Sequence, residues 1–278
     1  MRGKQAQKII WGIVRYLLIL LFLAFFIFPI FWIVSTSFKM PSEYFNSPPI
    51  YLPRQPHLNH YIRGLTVVGG IKALRDSIII SGTATLLTVI IGATVAYSMA
   101  RFGTGGARLS RWFLAQRMMP PVVMILPVFL LLRTVRLIDT HVGLILLYTV
   151  FNLSLCVWML RSYFIDIPAE IEESALVDGA SRVQVLRHIT LPLVAGGLSA
   201  ATVFVFIFAW TEFLFALVLT RNRIVTLPVL VSRFFGVETV EWGVASALAV
   251  IATVPAVILG LLVRRHFVRG ITMGAVKD

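Results

Sequence analysis

Apolar residues run through this chain in blocks close to the roughly 20 residues that a helix needs to cross a bilayer. Six blocks occur, at residues 13–35, 77–100, 112–132, 142–160, 195–219 and 244–263. Between the first two lies a polar, proline-rich segment, residues 40–72, which cannot form one continuous helix and indicates an external loop. The pattern predicts an all-α membrane protein with six transmembrane helices.

The composition agrees with burial in lipid rather than in one water-facing core. Hydrophobic residues occupy 58% of the 278 positions, above the roughly 45–50% apolar share of soluble domains. The net charge of +13 comes from basic residues scattered at the ends of the apolar blocks, which indicates membrane orientation rather than nucleic-acid binding. The arginines after the second and sixth blocks are Arg101, Arg108, Arg111, Arg264, Arg265 and Arg269. Because cytoplasmic loops are enriched in Lys and Arg, we expect both termini in the cytoplasm.

Small residues form a stripe along one face of two predicted spans. The stripe of the second span is Ser81, Thr85, Thr88, Gly92 and Ala96, and that of the sixth is Ala245, Ala249, Ala252, Ala256 and Gly260. Small side chains allow helix backbones to approach closely. The stripes predict helix contacts, either within a bundle formed by this chain or with a second membrane subunit.

The sequence carries no motif for catalysis or metal binding. Gly103, Gly105 and Gly106 lie in a short basic loop rather than in a phosphate-binding turn between a strand and a helix. The five histidines lack metal-ligand spacing, and the single cysteine, Cys156, lies in an apolar run typical of a core residue. We expect no enzyme site, metal or cofactor in this chain.

The connection between the fourth and fifth blocks, residues 163–192, differs from the rest of the chain because it is acidic. Asp166 is a candidate N-cap for a helix with Pro168 in its first turn. The carboxylates that follow are Glu170, Glu172 and Glu173. They suit the positive end of a helix dipole, so a helix is predicted to begin there.

A sharp turn and a second helix are predicted to follow. Gly179 can end the first helix in the left-handed conformation, and Ser181 with Gln184 forms a capping box that opens the next one. The apolar face of the second helix is predicted to be Leu186, Ile189 and Leu193. A short acidic helix at a glycine turn suits docking into a soluble partner, and an ordinary amphipathic connector is the alternative.

This segment resembles the cytoplasmic signature of permease subunits of binding-protein-dependent ABC importers. That signature is Glu-Ala-Ala, a glycine four residues after the last alanine, and then Ile-x-Leu-Pro. The matching residues are Glu173, Ser174, Ala175, Gly179, Ile189, Leu191 and Pro192. Ser174 stands where alanine is usual, and a small polar side chain should be tolerated. The resemblance covers nearly the whole chain and is greatest to the smaller, six-span permease of maltose-type carbohydrate importers.

The resemblance implies a type I importer permease fold in which residues 167–193 carry a coupling helix that binds a cytoplasmic ATPase. The implied coupling residues are Glu170, Glu173, Ser174, Ala175, Asp178, Gly179, Ala180, Ile189, Leu191 and Pro192. It further implies a second permease, two ATPase subunits that bind ATP and Mg, an extracytoplasmic solute-binding protein, and a bacterial or archaeal inner membrane. Residues 274–276 are implied to reach the ATPase dimer, and the implied solute is a sugar or a related polyol.

Polar and aromatic residues within the apolar blocks are candidates for the solute pathway, because polar groups are costly in lipid. They are Arg117, Asn152, Trp210, Glu212 and Phe213. Trp210 and Phe213 suit stacking on a sugar ring or an aromatic belt at the membrane interface, and Asn152 suits a bond to solute or to a neighbouring helix.

The predicted layout is one transmembrane permease domain over residues 1–278. Residues 1–75 hold the first span and external loop, residues 76–264 the other five spans, and residues 265–278 a cytoplasmic tail. The competing hypothesis is a secondary transporter driven by an ion gradient. Such proteins usually have more spans and internal repeats, and the acidic loop would have no role there.

Overall fold

The computed structural model describes residues 2–234 and 241–275, and within these ranges the regular elements are helices, with no strand. The α-helices are α1 (Arg2–Phe38), α2 (Asn59–Ile62), α3 (Gly70–Arg101), α4 (Gly106–Met118), α5 (Pro121–Thr134), α6 (His141–Ile165), α7 (Ala169–Val177), α8 (Arg182–Val185), α9 (Leu191–Leu193), α10 (Ala195–Trp210), α11 (Leu214–Leu219), α12 (Leu227–Ser232) and α13 (Trp242–Ala275). A short 3₁₀ turn covers Pro41–Glu43, and π-helical turns cover Arg63–Val67 and Leu186–Thr190.

Four helices are long and apolar enough to span a membrane: Trp11–Phe38 within α1, α3, α6, and Trp242–Leu262 within α13. Two bent helix pairs are further candidates, α4 with α5 at 99° and Arg182–Leu193 with α10 at 80°, each being either a broken span or a re-entrant loop. Counting each bent pair once gives six candidate spans among the described residues, as the hydrophobic pattern predicts.

The third and fifth spans are not the continuous helices predicted over residues 112–132 and 195–219. The third breaks between Met118 and Pro121, because Pro120 and Pro121 lack the N–H groups that would continue the hydrogen-bond ladder. The fifth predicted span ends as α10 at Trp210, and a new helix begins at Leu214. The side chain of Glu212 satisfies the first N–H groups of that new helix.

Contacts divide the chain into two compact units. The first contains the described parts of residues 1–70 and 231–251, and the second those of residues 71–230 and 252–278. In the first unit, Gly243 of α13 lies against the side chains of His60 and Tyr44, and a Cβ at this position would overlap both. A larger residue at position 243 would therefore require these two side chains to move.

The side chains of α1 are mostly exposed from Trp11 to Val34 and become buried where the helix ends. There Lys39 is 1% exposed, and its Nζ lies 4.0 Å from the centre of the Trp32 ring. Glu43 accepts hydrogen bonds from the backbone N–H groups of Arg54 and Met40, both at 2.9 Å, and these hold its pKa below the usual value. The predicted loop of residues 40–72 is therefore ordered by short helical turns and side-chain caps.

The second unit has a core where α3, α4, α6 and α10 meet. Its buried residues are Ala93, Ala96, Tyr97, Met99, Phe113, Cys156, Val157, Leu160, Phe164, Val194, Ala201 and Val205. The predicted small-residue stripe of α3 is buried along its length. A Cβ at Gly92 would stand 2.6 Å from Cys156 Sγ, so this glycine sets the distance between α3 and α6.

The stripe predicted on the last span is covered only at its start. Ala245 is buried, Ala249, Ala252 and Ala256 are half-buried, and Gly260 is exposed, with nothing within 4 Å of a Cβ added there. The described part of this chain therefore does not cover the distal half of the stripe.

Candidate functional site

The acidic segment forms a helix, a turn and a second helix, as predicted. The first helix, α7, contains nine residues and begins after Pro168, which occupies the N-cap position in an extended conformation. Asp166 is not the N-cap that the sequence suggested, because it ends α6 in a helical conformation. Proline restricts the preceding residue to extended backbone, so the break between α6 and α7 falls at Ile167 and Pro168.

Gly179 ends α7 with the double hydrogen-bond pattern of a Schellman motif. Its φ is +88°, its N–H donates to the Leu176 carbonyl at 3.1 Å, and the Ala180 N–H donates to the Ala175 carbonyl at 3.0 Å. The predicted left-handed turn is thereby confirmed. Glycine is favoured here because a φ of this sign is costly for residues with a Cβ.

The predicted capping box opens the second helix. Ser181 Oγ accepts the Gln184 N–H at 3.4 Å, and Gln184 Oε1 accepts the Ser181 N–H at 2.7 Å. Hydrogen bonds between residues close in sequence therefore fix the end of α7 and the start of the next helix, and they hold the turn in one orientation relative to α7.

The outer face of α7 and its turn is polar and acidic. The exposed members of the predicted coupling set are Glu170, Glu173, Ser174, Asp178 and Gly179, while Ala175 and Ala180 are half-buried. Val177 at the tip is 88% exposed. Within the described residues, Glu170, Glu173 and Asp178 form no ion pair. The surface therefore combines an apolar tip with carboxylates available to another molecule.

Glu172 points in the opposite direction and is 6% exposed. Its carboxylate accepts hydrogen bonds from Tyr97 Oη at 2.9 Å, Arg101 Nε at 2.9 Å and Thr190 Oγ1 at 3.0 Å. Arg101 Nη2 also donates to the Ile167 carbonyl at 3.0 Å. These bonds hold α7 against the end of α3 and against the second helix of the segment, which consists of α8, the π-helical turn and α9.

Glu172 was predicted only as a helix-dipole residue, and its inward contacts were missed. A signal for them was available, because Glu172 shares a helical face with the half-buried Ala175 and Leu176, three and four residues on. A carboxylate on the covered face of a short helix needs a cationic partner. The sequence does not single out which cation this is, since Arg182 and Arg187 are closer along the chain than Arg101, which pairs with Glu172 here.

The apolar face of the second helix is only partly the one predicted. Leu186 packs against the core and Ile189 is half-buried, as predicted, but Leu193 is 55% exposed, and Val185 and Thr190 are buried in addition. The π-helical turn over Leu186–Thr190 contains one residue more per turn and shifts the inward face. In the predicted coupling set, Ile189 and Leu191 are half-buried and Pro192 is exposed.

The predicted pathway residues of the fifth span serve intramolecular bonds in this structure. Trp210 is 3% exposed and donates from Nε1 to the Ala252 carbonyl at 2.8 Å. Glu212 accepts from Tyr148 Oη at 2.7 Å and from the N–H groups that begin α11. Phe213 is 37% exposed, which leaves part of its ring accessible.

The remaining two pathway candidates lie on other helices. Asn152 is buried in α6 and donates to the Tyr148 carbonyl of its own helix at 2.9 Å. Arg117 is exposed in the last turn of α4, with its guanidinium 4.9 Å from the Phe208 ring centre. Arg117 and Phe208 bring α4 and α10 together at the break of the third span.

A cavity of about 490 Å³ in the first unit was not predicted. Its walls combine the aromatic rings of Trp32, Tyr44, Phe45 and Trp242 with the hydroxyl-bearing Thr36 and Ser246. Aromatic faces beside a few polar groups are typical of small-molecule sites.

These features define a helical membrane protein with several spans. The family described as "Binding-protein-dependent transport system inner membrane component" matches residues 84–273, and the chain belongs to that family. The predicted family resemblance is thereby confirmed.

Curated relatives match over most of their length. The chain is 35% identical to the trehalose/maltose transport system permease protein MalG of Thermococcus litoralis, over 90% of this chain and 91% of that one. It is 36% identical to the trehalose transport system permease protein SugB of Mycobacterium tuberculosis, over 90% and 92% of the two chains. A putative ABC transporter permease protein, ORF1 of Streptomyces antibioticus, is 39% identical over 82% of this chain and 100% of its own.

Among solved structures, a chain of a bacterial ABC transporter involved in the import of the acidic polysaccharide alginate has the same fold. The TM-score is 0.79 at 23% identity, over 93% of this chain and 96% of that one. The predicted type I importer permease fold is confirmed. The chain is a permease subunit of an ABC importer, not a secondary transporter or an enzyme, and ATP hydrolysis belongs to partner subunits.

Proposed function

We propose that this chain forms half of the translocation pathway for a sugar or related polyol and receives the force of ATP hydrolysis through α7 and the Gly179 turn. The observation that carries the coupling role is the outward carboxylate face of α7, formed by Glu170, Glu173 and Asp178, beside the 88% exposed Val177. An apolar tip rimmed by charge suits a cleft on a soluble partner.

The proposed assembly contains a second permease, two ATPase subunits and an extracytoplasmic solute-binding protein. ATP and Mg would bind to the ATPase subunits, since this sequence has no phosphate-binding loop. The arginines that follow the second and sixth blocks favour cytoplasmic termini in a bacterial or archaeal inner membrane. This orientation brings the coupling loop to the ATPase side.

The proposed mechanism is alternating access. Closure of the two ATPases would draw the coupling helices together, and α7 would pass that displacement to α3 and the second helix through Glu172. Residues 274–276, proposed to touch the ATPase dimer, extend beyond the described side chains.

A hydroxylated solute is supported by relatives named for trehalose and maltose transport. In this chain the aromatic and hydroxyl groups around the cavity of the first unit suit the two kinds of surface on a sugar ring. Phe213, Glu212, Trp210, Asn152 and Arg117 remain pathway candidates. Phe213 and Arg117 are already accessible, whereas solute would reach the other three only once their internal contacts open during transport.

Matched glycine variants test the coupling role in the reconstituted importer. Gly179→Ala adds a methyl group in open space but at a φ of +88°, whereas Gly196→Ala adds the same group in open space within α10. The left-handed conformation costs a residue with a Cβ about 1–2 kcal/mol. We expect Gly179→Ala to reduce solute-stimulated ATP hydrolysis about tenfold, and Gly196→Ala to leave it near the wild-type rate.

Gly179→Asp should be more damaging, since it adds a charged side chain at the docking turn. It should abolish solute-stimulated ATP hydrolysis while membrane insertion is preserved. Normal transport by both Gly179 variants would refute the proposed coupling role.

A further inference from the structure

We propose that a cavity between α3, α4 and α6 of the second unit binds the phosphate group of an anionic phospholipid, with Arg161 as its main ligand. The cavity has a volume of about 110 Å³. Its polar lining comes from Arg161, Ser110 and Ser162, and its apolar lining includes Phe113 and Trp158. No residue that lines it is acidic.

Arg161 carries the argument because part of its guanidinium is buried without compensation. The Nε atom has no hydrogen-bond partner among the residues that the structure describes. A buried N–H donor without an acceptor is costly, and for a cationic group the cost is larger. A phosphate in the cavity would bond the guanidinium where it lines the cavity and would offset the charge of which the buried Nε is a part. The planar guanidinium matches the geometry of phosphate oxygens in particular.

The position of the cavity favours a lipid as the source of the phosphate. Arg161 lies four residues before Ile165, the end of α6, which is roughly 6 Å along the helix axis. With the end of α6 placed at the membrane surface, this distance would reach the boundary between headgroups and hydrocarbon, because each headgroup layer is roughly 5–7 Å thick. Trp158 is 56% exposed beside the cavity, and exposed tryptophans typically lie at that boundary.

The surrounding charge favours an anionic lipid over a zwitterionic one. Arg108 and Arg111 are exposed on α4 next to Ser110, and basic pockets between helices on the cytoplasmic side bind anionic headgroups. The cavity lies at the coupling-loop end of the second unit, since Arg101, two residues after the lining residue Met99, bonds to Ile167. Only its assignment to the cytoplasmic leaflet rests on the proposed function.

Lipid retention by the purified importer tests the proposal. Native mass spectrometry would measure retention of phosphatidylglycerol and of phosphatidylcholine by the intact complex without ATP. We expect phosphatidylglycerol to be retained preferentially and to bind about tenfold more weakly to the Arg161→Gln variant. Arg161→Lys should bind phosphatidylglycerol more weakly than wild type and more tightly than Arg161→Gln, because lysine keeps the charge but loses the planar donor geometry. Arg133→Gln, an exposed arginine in the last turn of α5, is the matched control and should bind like wild type.

Three results would overturn the assignment. The first is equal retention of the two lipids by the unmodified importer, which requires no variant to fold. The second is unchanged retention by Arg161→Gln. The third is inorganic phosphate at matched concentration raising the melting temperature through Arg161 while phosphatidylglycerol does not, which would identify a free anion as the ligand. Because retention is measured without transport, failure of the coupling proposal would leave this test unaffected.

Discussion

The carboxylates near the two ends of α3 differ in whether they are bonded within this chain. At one end, Asp139 accepts hydrogen bonds from the four backbone N–H groups of residues 221–224, at 2.9–3.2 Å. Asp76 accepts from the Val225 N–H at 3.3 Å and contacts His141 Nε2 at 3.0 Å. At the other end, the carboxylates of Glu170, Glu173 and Asp178 are exposed on α7 and its turn.

This difference separates carboxylates that hold this chain together from carboxylates available to another molecule. Buried carboxylates are stable only when donors of the same fold compensate their desolvation. Exposed ones contribute little to stability and are free to bind a partner. Glu172 is the exception among the carboxylates of α7, because it is buried and paired with Arg101. Asp76 and Arg101 lie roughly 38 Å apart along the same helix, so α3 connects the two ends as one rigid element.

The largest expected effect on stability comes from replacing Glu172 by glutamine, and the same replacement at the neighbouring Glu173 is its control. Glu172→Gln removes the charge that compensates Arg101, whose side chain is 13% exposed, and should lower the free energy of unfolding by about 3 kcal/mol. Glu173→Gln alters an exposed side chain and should change it by less than about 0.5 kcal/mol. Thermal unfolding of the purified importer would measure both.

Solute-stimulated ATP hydrolysis should reveal a role for Glu173 that the stability measurement does not. Glu173→Gln should reduce solute-stimulated ATP hydrolysis about tenfold by removing a charge from the docking face, with stability retained. Equal loss of stability in the two variants would mean that the inward and outward faces of α7 are not distinct.

The second effect concerns the opposite end of α3. Asp139→Ala removes the acceptor for four N–H groups and should cost about 2–3 kcal/mol of stability. Arg136→Ala is the matched control, because Arg136 also has a positive φ, 57° against 58° for Asp139, and Arg136 is exposed. Hydrogen exchange at residues 221–224 should rise in the Asp139 variant alone. Unchanged exchange there would show that the loop is held by other contacts.

Local signals allowed much of the fold and of the coupling turn to be predicted. Block lengths identified the spans, and the Gly179 turn and the Ser181 capping box depend on residues within a few positions of each other. The breaks in the third and fifth spans were missed because apolar content stays high across them. At the fifth, the cap by Glu212 involves the backbone of residues three and four positions later, so hydropathy alone does not reveal it.

Long-range contacts account for the other differences. The bond between Tyr97 and Glu172 joins residues 75 positions apart, and the role of Asp139 depends on backbone groups more than 80 positions away. Trp210 was expected to suit stacking on a sugar ring because it adjoins Glu212, yet its ring is buried by packing against Phe206 and by its bond to Ala252. Neither hydrogen bonds between distant residues nor packing of the kind seen at Trp210 produces a periodic pattern in the sequence.

A smaller and reversible effect should follow from pH at the Asp139 end. Burial raises the pKa of the Asp139 carboxyl, but the four backbone N–H donors together outweigh it, so its pKa in the folded protein lies below the usual value. Its stabilising contribution is therefore complete above the unfolded pKa of about 3.9 and is lost as pH falls through the folded pKa. The difference in melting temperature between wild type and Asp139→Ala should be constant from about pH 7 to 5 and shrink below about pH 4. A difference that already shrinks at neutral pH would point to another titrating group.

The smallest effect should come from a single hydroxyl that joins α3 to α7. Tyr97→Phe removes one of three donors to Glu172, and because Arg101 and Thr190 remain, the expected cost is about 1 kcal/mol. Tyr163→Phe is the control, since the Tyr163 ring packs on Gly197 and its hydroxyl is not one of the donors to Glu172. In a double-mutant cycle the cost of Tyr97→Phe should largely disappear when Glu172 is already glutamine, because the two residues then no longer share a charged hydrogen bond. Additive costs would mean that Tyr97 stabilises α3 through packing against Phe164, and that the connection between α7 and α3 depends on Arg101 instead.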